Sequence, residues 1–240
     1  MGNYEIYDIE QLIKLNSYVG RGIILGKSEN GRYAVTAYFI MGRSENSRNR
    51  IFVESGDFVR ILPFEEYKVS DPSLVIYSPV KKTGDTLIVT NGSQTDNIFS
   101  FIQSGKTFEE ALDLCQFEPD APNFTPRISG IIYNESKGDF KYKLSILKSG
   151  DANGSVCNRF TFSYTPLSGL GHFIHTYNCD GNPLPTFTGE PERVLIPNDI
   201  DEFVNSLWTN LDEQNKISLY VRYFDTQKGC ARTRLINKNK

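Results

Sequence analysis

The chain has 240 residues, of which 23% are charged and 12% aromatic, and its formal net charge is -3. That length can bury a full core, and with no linker, internal repeat or low-complexity stretch in view, one domain over residues 1–240 is expected. A net acidic chain with a pI near 5.5 lacks the basic face that non-specific nucleic-acid binding needs, and no apolar run reaches bilayer length, so neither nucleic acid nor membrane is an expected partner.

Ile9, Leu12, Ile13 and Leu15 recur at roughly helical spacing, which predicts a short amphipathic helix over Tyr7–Leu15. Val19–Leu25 and Tyr33–Ile40 are β-rich runs, and Glu29-Asn30-Gly31 between them supplies the turn residues of a tight hairpin. Next comes Gly42-Arg43-Ser44-Glu45-Asn46-Ser47-Arg48-Asn49-Arg50, a loop with three guanidinium groups in an acidic protein. Such planar, permanently charged forks fit phosphate or carboxylate oxygens, so the loop suggests one bound anion more than a polyanionic surface. Ile51–Val53 and Phe58–Leu62 read as short strands, and Leu74–Tyr77 with Thr86–Val89 as a further pair turned at Gly84-Asp85.

Two helices follow, over Thr95–Ile102 and from the capping box Thr107-Phe108-Glu109-Glu110 to about Leu114. Strands resume at Ile128–Tyr133 and Tyr142–Leu147, joined by a turn through Asn134–Gly138, and continue at Arg159–Tyr164 and Phe173–Tyr177. Asp199–Leu211 is a clear amphipathic helix, Ile217–Phe224 a closing strand, and Arg232, Arg234, Lys238 and Lys240 form a basic tail expected to be solvated. Hairpin strands with helices gathered in blocks predict an α+β fold with mostly antiparallel sheets.

Three segments could carry chemistry. Thr90 to Asp96 joins a strand to a helix N-terminus, where exposed amides favour an anion or a polar ligand group, although a plain N-cap explains Thr95 or Asp96 equally well. Phe117 to Ile128 is a loop stiffened by Pro119, Pro122 and Pro126, in which a partly buried Glu118 or Asp120 could serve as general acid or base. Gly169 to Tyr177 holds both histidines, His172 and His175; without a third nearby ligand they predict no metal. The cysteines Cys115, Cys157, Cys179 and Cys230 form no CxxC pair, which fits reduced thiols, and the start lacks a signal-peptide pattern, so a cytoplasmic protein is expected.

Taken in order, Tyr18-Val19-Gly20-Arg21-Gly22, Arg43-Ser44 with Asn49-Arg50, Asn91 to Asp96, and Thr125-Pro126-Arg127-Ile128 resemble the archaeal-type inosine monophosphate (IMP) cyclohydrolases and their bacterial homologues. The resemblance covers roughly residues 18 to 132, and Gln94 stands where archaeal members often carry His. It implies an Ntn-hydrolase-like four-layer αββα sandwich without an N-terminal nucleophile, and Gly2 offers neither hydroxyl nor thiol. It also implies closure of 5-formamidoimidazole-4-carboxamide ribonucleotide (FAICAR) to IMP, with a purine ribonucleotide as the bound partner and no cofactor. By position Arg50, Tyr77 and Glu118 match the family's catalytic arginine, tyrosine and glutamate, and Arg43, Asn49, Asn91, Ser93, Asp96 and Arg127 are substrate-contact candidates. Two other readings stay open: a non-catalytic purine-nucleotide-binding homologue, and an Ntn-type amidohydrolase released by internal cleavage. A homo-oligomer is also left open.

Overall fold

The computed structural model describes residues 4–68, 77–133 and 140–239. Helix α1 (Ile9–Ile13) precedes the hairpin β1 (Arg21–Lys27) and β2 (Tyr33–Met41), and the arginine loop folds its centre into one turn of helix, α2 (Glu45–Arg48). Strands β3 (Arg50–Ser55), β4 (Phe58–Pro63), β5 (Val80–Thr83) and β6 (Thr86–Thr90) lead into helices α3 (Gln94–Gln103) and α4 (Phe108–Asp113). Then come β7 (Arg127–Tyr133), β8 (Lys141–Ser149), β9 (Cys157–Tyr164), β10 (Leu170–His175) and β11 (Glu192–Leu195). Helix α5 (Ile200–Asn210), β12 (Lys216–Asp225) and β13 (Cys230–Asn237) complete the chain.

The strands form a six-stranded sheet in the order β11-β10-β1-β2-β12-β13 and a seven-stranded sheet in the order β3-β4-β5-β6-β7-β8-β9. Every ladder between named strands is antiparallel. The α/β composition and antiparallel pairing expected from the hairpin signals are therefore present.

Alternation along the central strands shows how the sheets stack, because successive side chains point to opposite faces. On β2, Val35, Ala37, Phe39 and Met41 pack with Ile200, Phe203 and Leu207 of α5 and Ile9 and Ile13 of α1. The alternate residues Ala34, Tyr38 and Ile40 instead meet Phe52, Ile61, Leu87, Val89 and Ile128 of the second sheet. On that sheet Ile88 and Ile131 point outward to Ile98 of α3 and Phe108 and Leu112 of α4. The layers run helix, sheet, sheet, helix. Each buried aliphatic or aromatic side chain contributes about 1.5–3 kcal/mol of transfer free energy. Strand β12, central and covered on both faces, is buried at all ten positions.

Local signals place the helix ends. Thr107 accepts from the Glu110 amide while Glu110 Oε2 accepts from the Thr107 amide at 2.7 Å, the reciprocal cap foreseen from the spacing. Asp199 caps α5 by accepting from the amides of Asp201 and Glu202.

Several expectations change. The basic C-terminal run is an edge strand, β13: Arg234 pairs with Asp201 and Arg232 lies over the Tyr33 ring. Strand β6 turns at Gly84, whose φ of +55° is left-handed, to pair with Val80–Thr83. The strand expected over Leu74–Tyr77 lies outside the described residues except for Tyr77, as does the turn over Asn134–Gly138. The Tyr77 carbonyl accepts from the Ile61 amide at 2.9 Å, which holds this tyrosine against β4.

Candidate active site

The polar residues of interest collect at the meeting of β1, β2, the start of β3, and the loops that enter β7 and leave β10. Gly20 opens this region at φ +79°, and a Cβ there would collide with the Thr176 hydroxyl and stand 2.7 Å from the Tyr177 ring, so only glycine fits. The close approach brings β1 against the chain leaving β10 and sets Arg21 among Tyr18, Tyr77, Tyr177 and Glu118. Burial works against the Arg21 charge, but the field of those four groups prevails and holds it above the ordinary guanidinium range.

Arg50, 1% exposed, starts β3 directly behind the α2 turn, and its Nε donates to the Ser47 carbonyl at 2.6 Å. Its Nη1 and Nη2 are buried without a hydrogen-bond partner among the described residues. Burial, and next the Arg21 charge, push its pKa down, while Tyr77 and Tyr38 oppose the shift. The two phenols share a hydrogen bond of 2.8 Å, and Tyr38 stacks on Phe52. Desolvation lifts the Tyr38 hydroxyl well above its ordinary pKa, so this phenol stays protonated at neutral pH.

Glu118 faces this group from the proline-stiffened loop. Its amide donates to the Thr125 carbonyl at 2.9 Å, and Asp120 secures the same loop by accepting from the Thr125 amide at 2.6 Å and from its hydroxyl. The Thr125 hydroxyl also shares a hydrogen bond of 2.6 Å with Tyr177, which ties the loop to the second half of the chain. Glu118 is 4% exposed, and its Oε1 lies 2.9 Å from Arg127 Nη1 in an ion contact without hydrogen-bond alignment. Burial raises the Glu118 pKa, against the pull of Arg21, Arg127 and Arg50. A carboxyl so placed can carry a proton at higher pH than a surface glutamate, which suits acid–base work.

The structure thus brings Arg50, Tyr77, Glu118 and Arg127 within electrostatic reach of one another, together with Arg21, Tyr38 and Tyr177, which sequence reasoning did not place at the site. The Gly-Arg pair at Gly20-Arg21 was a signal for the first. Tyr38 left none, being an aromatic residue in an ordinary strand setting, and Tyr177 stood out only as the end of the segment Gly169 to Tyr177.

The remaining candidates sit as follows. Asn91 bonds across to the chain entering β7, donating to the Pro126 carbonyl and accepting from the Ile128 amide. Asn49 exchanges two bonds with the Glu65 backbone. Arg43, partly exposed, donates to Asp180 Oδ1 at 2.6 Å and lies over the Tyr18 ring. Ser93 is exposed at the start of α3, and Asp96, 66% exposed in its side chain, pairs with Lys81. His172 sits in the inter-sheet core against Tyr142 and Tyr164, and His175 bridges the Tyr177 carbonyl and Glu192. Among the described residues no group of three or more His, Cys, Asp or Glu is placed to hold a metal.

Five of the nine buried side-chain atoms without a hydrogen-bond partner among the described residues belong to Arg21, Arg50, Gln94 and Glu118. Native structures satisfy nearly all buried polar atoms, so this concentration sets the region apart from the rest of the core. A cavity of about 300 Å3 lined by Phe58, Val80, Leu87, Tyr220 and Phe224 shares none of these residues.

Two antiparallel sheets that hold guanidinium donors, phenols and a protonatable carboxyl at their junction define an enzyme-like site. Comparison with known proteins narrows the class: residues 18–228 match the family described as IMP cyclohydrolase-like protein, and the chain belongs to that family. It is 29% identical to the IMP cyclohydrolase of Methanococcus aeolicus over 167 residues, covering 68% of this chain and 75% of that protein. It is 32% identical to the IMP cyclohydrolase of Methanococcus maripaludis strain C5 over 146 residues, 56% of this chain and 71% of the relative. The enzyme of that name from Methanosphaera stadtmanae is 34% identical over 127 residues, 50% of this chain and 60% of the relative.

Proposed function

We propose that this chain is an IMP cyclohydrolase, a hydrolase of the class acting on carbon–nitrogen bonds in cyclic amidines, which converts FAICAR to IMP and water in de novo purine biosynthesis. The observation that carries the reading is Arg50: a guanidinium 1% exposed, with two donors unpaired, beside a pair of phenols and within the field of a carboxyl whose pKa is raised.

The reaction is intramolecular, so holding the carboxamide nitrogen against the formyl carbon supplies a large part of the rate. As the carbon–nitrogen bond forms, charge develops on the formyl oxygen; Arg50 stabilises it and Tyr77 donates to it. The carboxamide nitrogen gives up one proton, the formyl oxygen gains one, and the result is a carbinolamine. Glu118 moves one proton in each half: from the attacking nitrogen to the formyl oxygen as the carbinolamine forms, then from the former formamido nitrogen to the hydroxyl, which leaves as water as the ring becomes unsaturated. No cofactor enters this sequence. Arg43, Asn49, Asn91, Ser93, Asp96 and Arg127 complete the proposed set of substrate contacts, with Arg43 and Ser93 on the exposed side and Arg127 beside Glu118.

In this reading the helix, sheet, sheet, helix succession is an Ntn-hydrolase-like αββα sandwich used as a single domain, working in the cytoplasm. The test is direct: purified protein incubated with FAICAR yields IMP, seen by absorbance and chromatography. Tight IMP binding with no ring closure would replace the enzyme by a nucleotide-binding homologue.

A further inference from the structure

Gln94, in the first turn of α3, is 3% exposed and has one face committed. Its Nε2 lies 3.1 Å from Asn91 Oδ1, 3.2 Å from the Ile128 carbonyl and 3.4 Å from the Ser129 hydroxyl. Two of those three neighbours can only accept: Asn91 Oδ1 already receives the Ile128 amide at 2.9 Å, and its own Nδ2 is donating to Pro126. The amide orientation of Gln94 is therefore fixed by its surroundings, with nitrogen toward Asn91 and oxygen away from it. That oxygen, Oε1, is buried and has no donor among the described residues. It points to the Glu118 side of the site, because a Cβ added to Gly92 would overlap the Arg127 guanidinium and stand 2.7 Å from Gln94 Oε1. The absence of a side chain at Gly92 is what lets the two groups approach, and Arg127 in turn contacts Glu118.

We infer that Gln94 is a substrate-reading residue whose Oε1 accepts the N–H that the substrate's carboxamide nitrogen keeps through the reaction. The inference rests on the cyclohydrolase reading and goes beyond it. A neutral amide oxygen accepts a hydrogen bond but does not take up a proton at working pH, so among the substrate's N–H groups it suits one that survives catalysis. The substrate offers two kinds. The formamido N–H is lost when water leaves and the carbon–nitrogen double bond forms, so it cannot serve throughout. The carboxamide nitrogen starts with two hydrogens, loses one on attack and retains the other as N1–H of IMP. An acceptor fixed on the retained hydrogen aims the departing one elsewhere and holds the nitrogen in register with the formyl carbon. The same contact penalises a ligand without that N–H, because Oε1 then stays buried and unpaired.

The experiment compares wild type and Gln94→Met for binding of IMP and of N1-methylinosine monophosphate, by calorimetry, alongside FAICAR turnover. For wild type, IMP is expected to bind at least tenfold more tightly than the N1-methyl nucleotide. In Gln94→Met, with a circular dichroism spectrum and Tm like those of wild type, the preference is expected to shrink to within threefold, and KM for FAICAR to rise. Equal wild-type affinity for the two nucleotides would overturn the inference without any variant, as would an undiminished preference in a folded Gln94→Met. Wild-type protein that turns over FAICAR but shows either result keeps the function and loses the role of Gln94. Wild-type protein that neither binds IMP nor turns over FAICAR loses both.

Discussion

Two polar clusters are buried between the sheets, and they differ in one respect. Around His172 the ring itself is matched: Nδ1 meets the Tyr142 hydroxyl at 2.7 Å, and the imidazole lies flat on Tyr164 with ring centroids 3.6 Å apart, although Nε of the neighbouring Arg193 is buried without a partner among the described residues. Around Arg50 and Glu118 the groups are left wanting partners. Burial is similar, so burial does not tell structure from function. A matched buried network rigidifies a core, whereas donors held in place without acceptors are preorganised for charge that arrives with a ligand. The histidines, the chain's most obvious chemical residues, belong to the first kind or stand one step behind the second.

The comparison breaks or holds on substitution. The largest expected effect is in Arg50→Met and Glu118→Gln, each lowering kcat/KM for FAICAR by about 10²–10⁴-fold. Arg50→Met should also raise stability, by about 1–4 kcal/mol, because an apolar group replaces a buried charge without a partner. Chemical denaturation checks this, and a destabilised Arg50→Met would mean the guanidinium is structural. Tyr77→Phe comes next, with a loss of about tenfold in kcat, since Arg50 still faces the same oxygen.

His172→Phe is expected to leave kcat within about twofold and to alter stability instead. Burial, and then Arg193, push the His172 pKa down from 6.5 to about 4. The unfolded chain therefore binds the proton first: the His172 contribution is complete above pH 6.5 and is lost as pH falls toward 4, on the order of 2–3 kcal/mol. Urea titrations at pH 7.5 and 4.5 should show the variant less stable than wild type at the higher pH and with its deficit reduced at the lower. For Glu118 the pKa is raised, so a step needing its protonated form weakens as pH rises through that pKa, and a pH–rate profile of Glu118→Gln should lack this limb. The smallest effect is assigned to Arg43→Ala, a few-fold rise in KM that fades at high salt, because its pair with Asp180 is exposed.

Much of the frame was legible locally. The Thr107 and Asp199 caps, the β1–β2 hairpin and the α5 stripe each follow from spacing within about a dozen residues, the range over which backbone geometry repeats. Resemblance through Asn49-Arg50, Asn91 to Asp96 and Thr125 to Ile128 pointed to the region where the unpaired atoms gather.

What the residues alone settled was composition, periodicity and the identity of the charged groups. Tertiary structure decided the rest, because pairing and burial are relations between distant segments. Cys230–Asn237 reads as a basic tail until β12 supplies the ladder that makes it an edge strand. Glu192–Leu195 becomes a strand only against β10. Arg50 is an ordinary loop arginine in sequence; it becomes a buried cation without an ion-pair partner because Arg21, Tyr38 and Tyr77 are brought around it and no carboxylate among the described residues pairs with it. The pKa and reactivity of a side chain follow from solvent exclusion and neighbouring charge, and neither quantity exists until the two sheets close on each other.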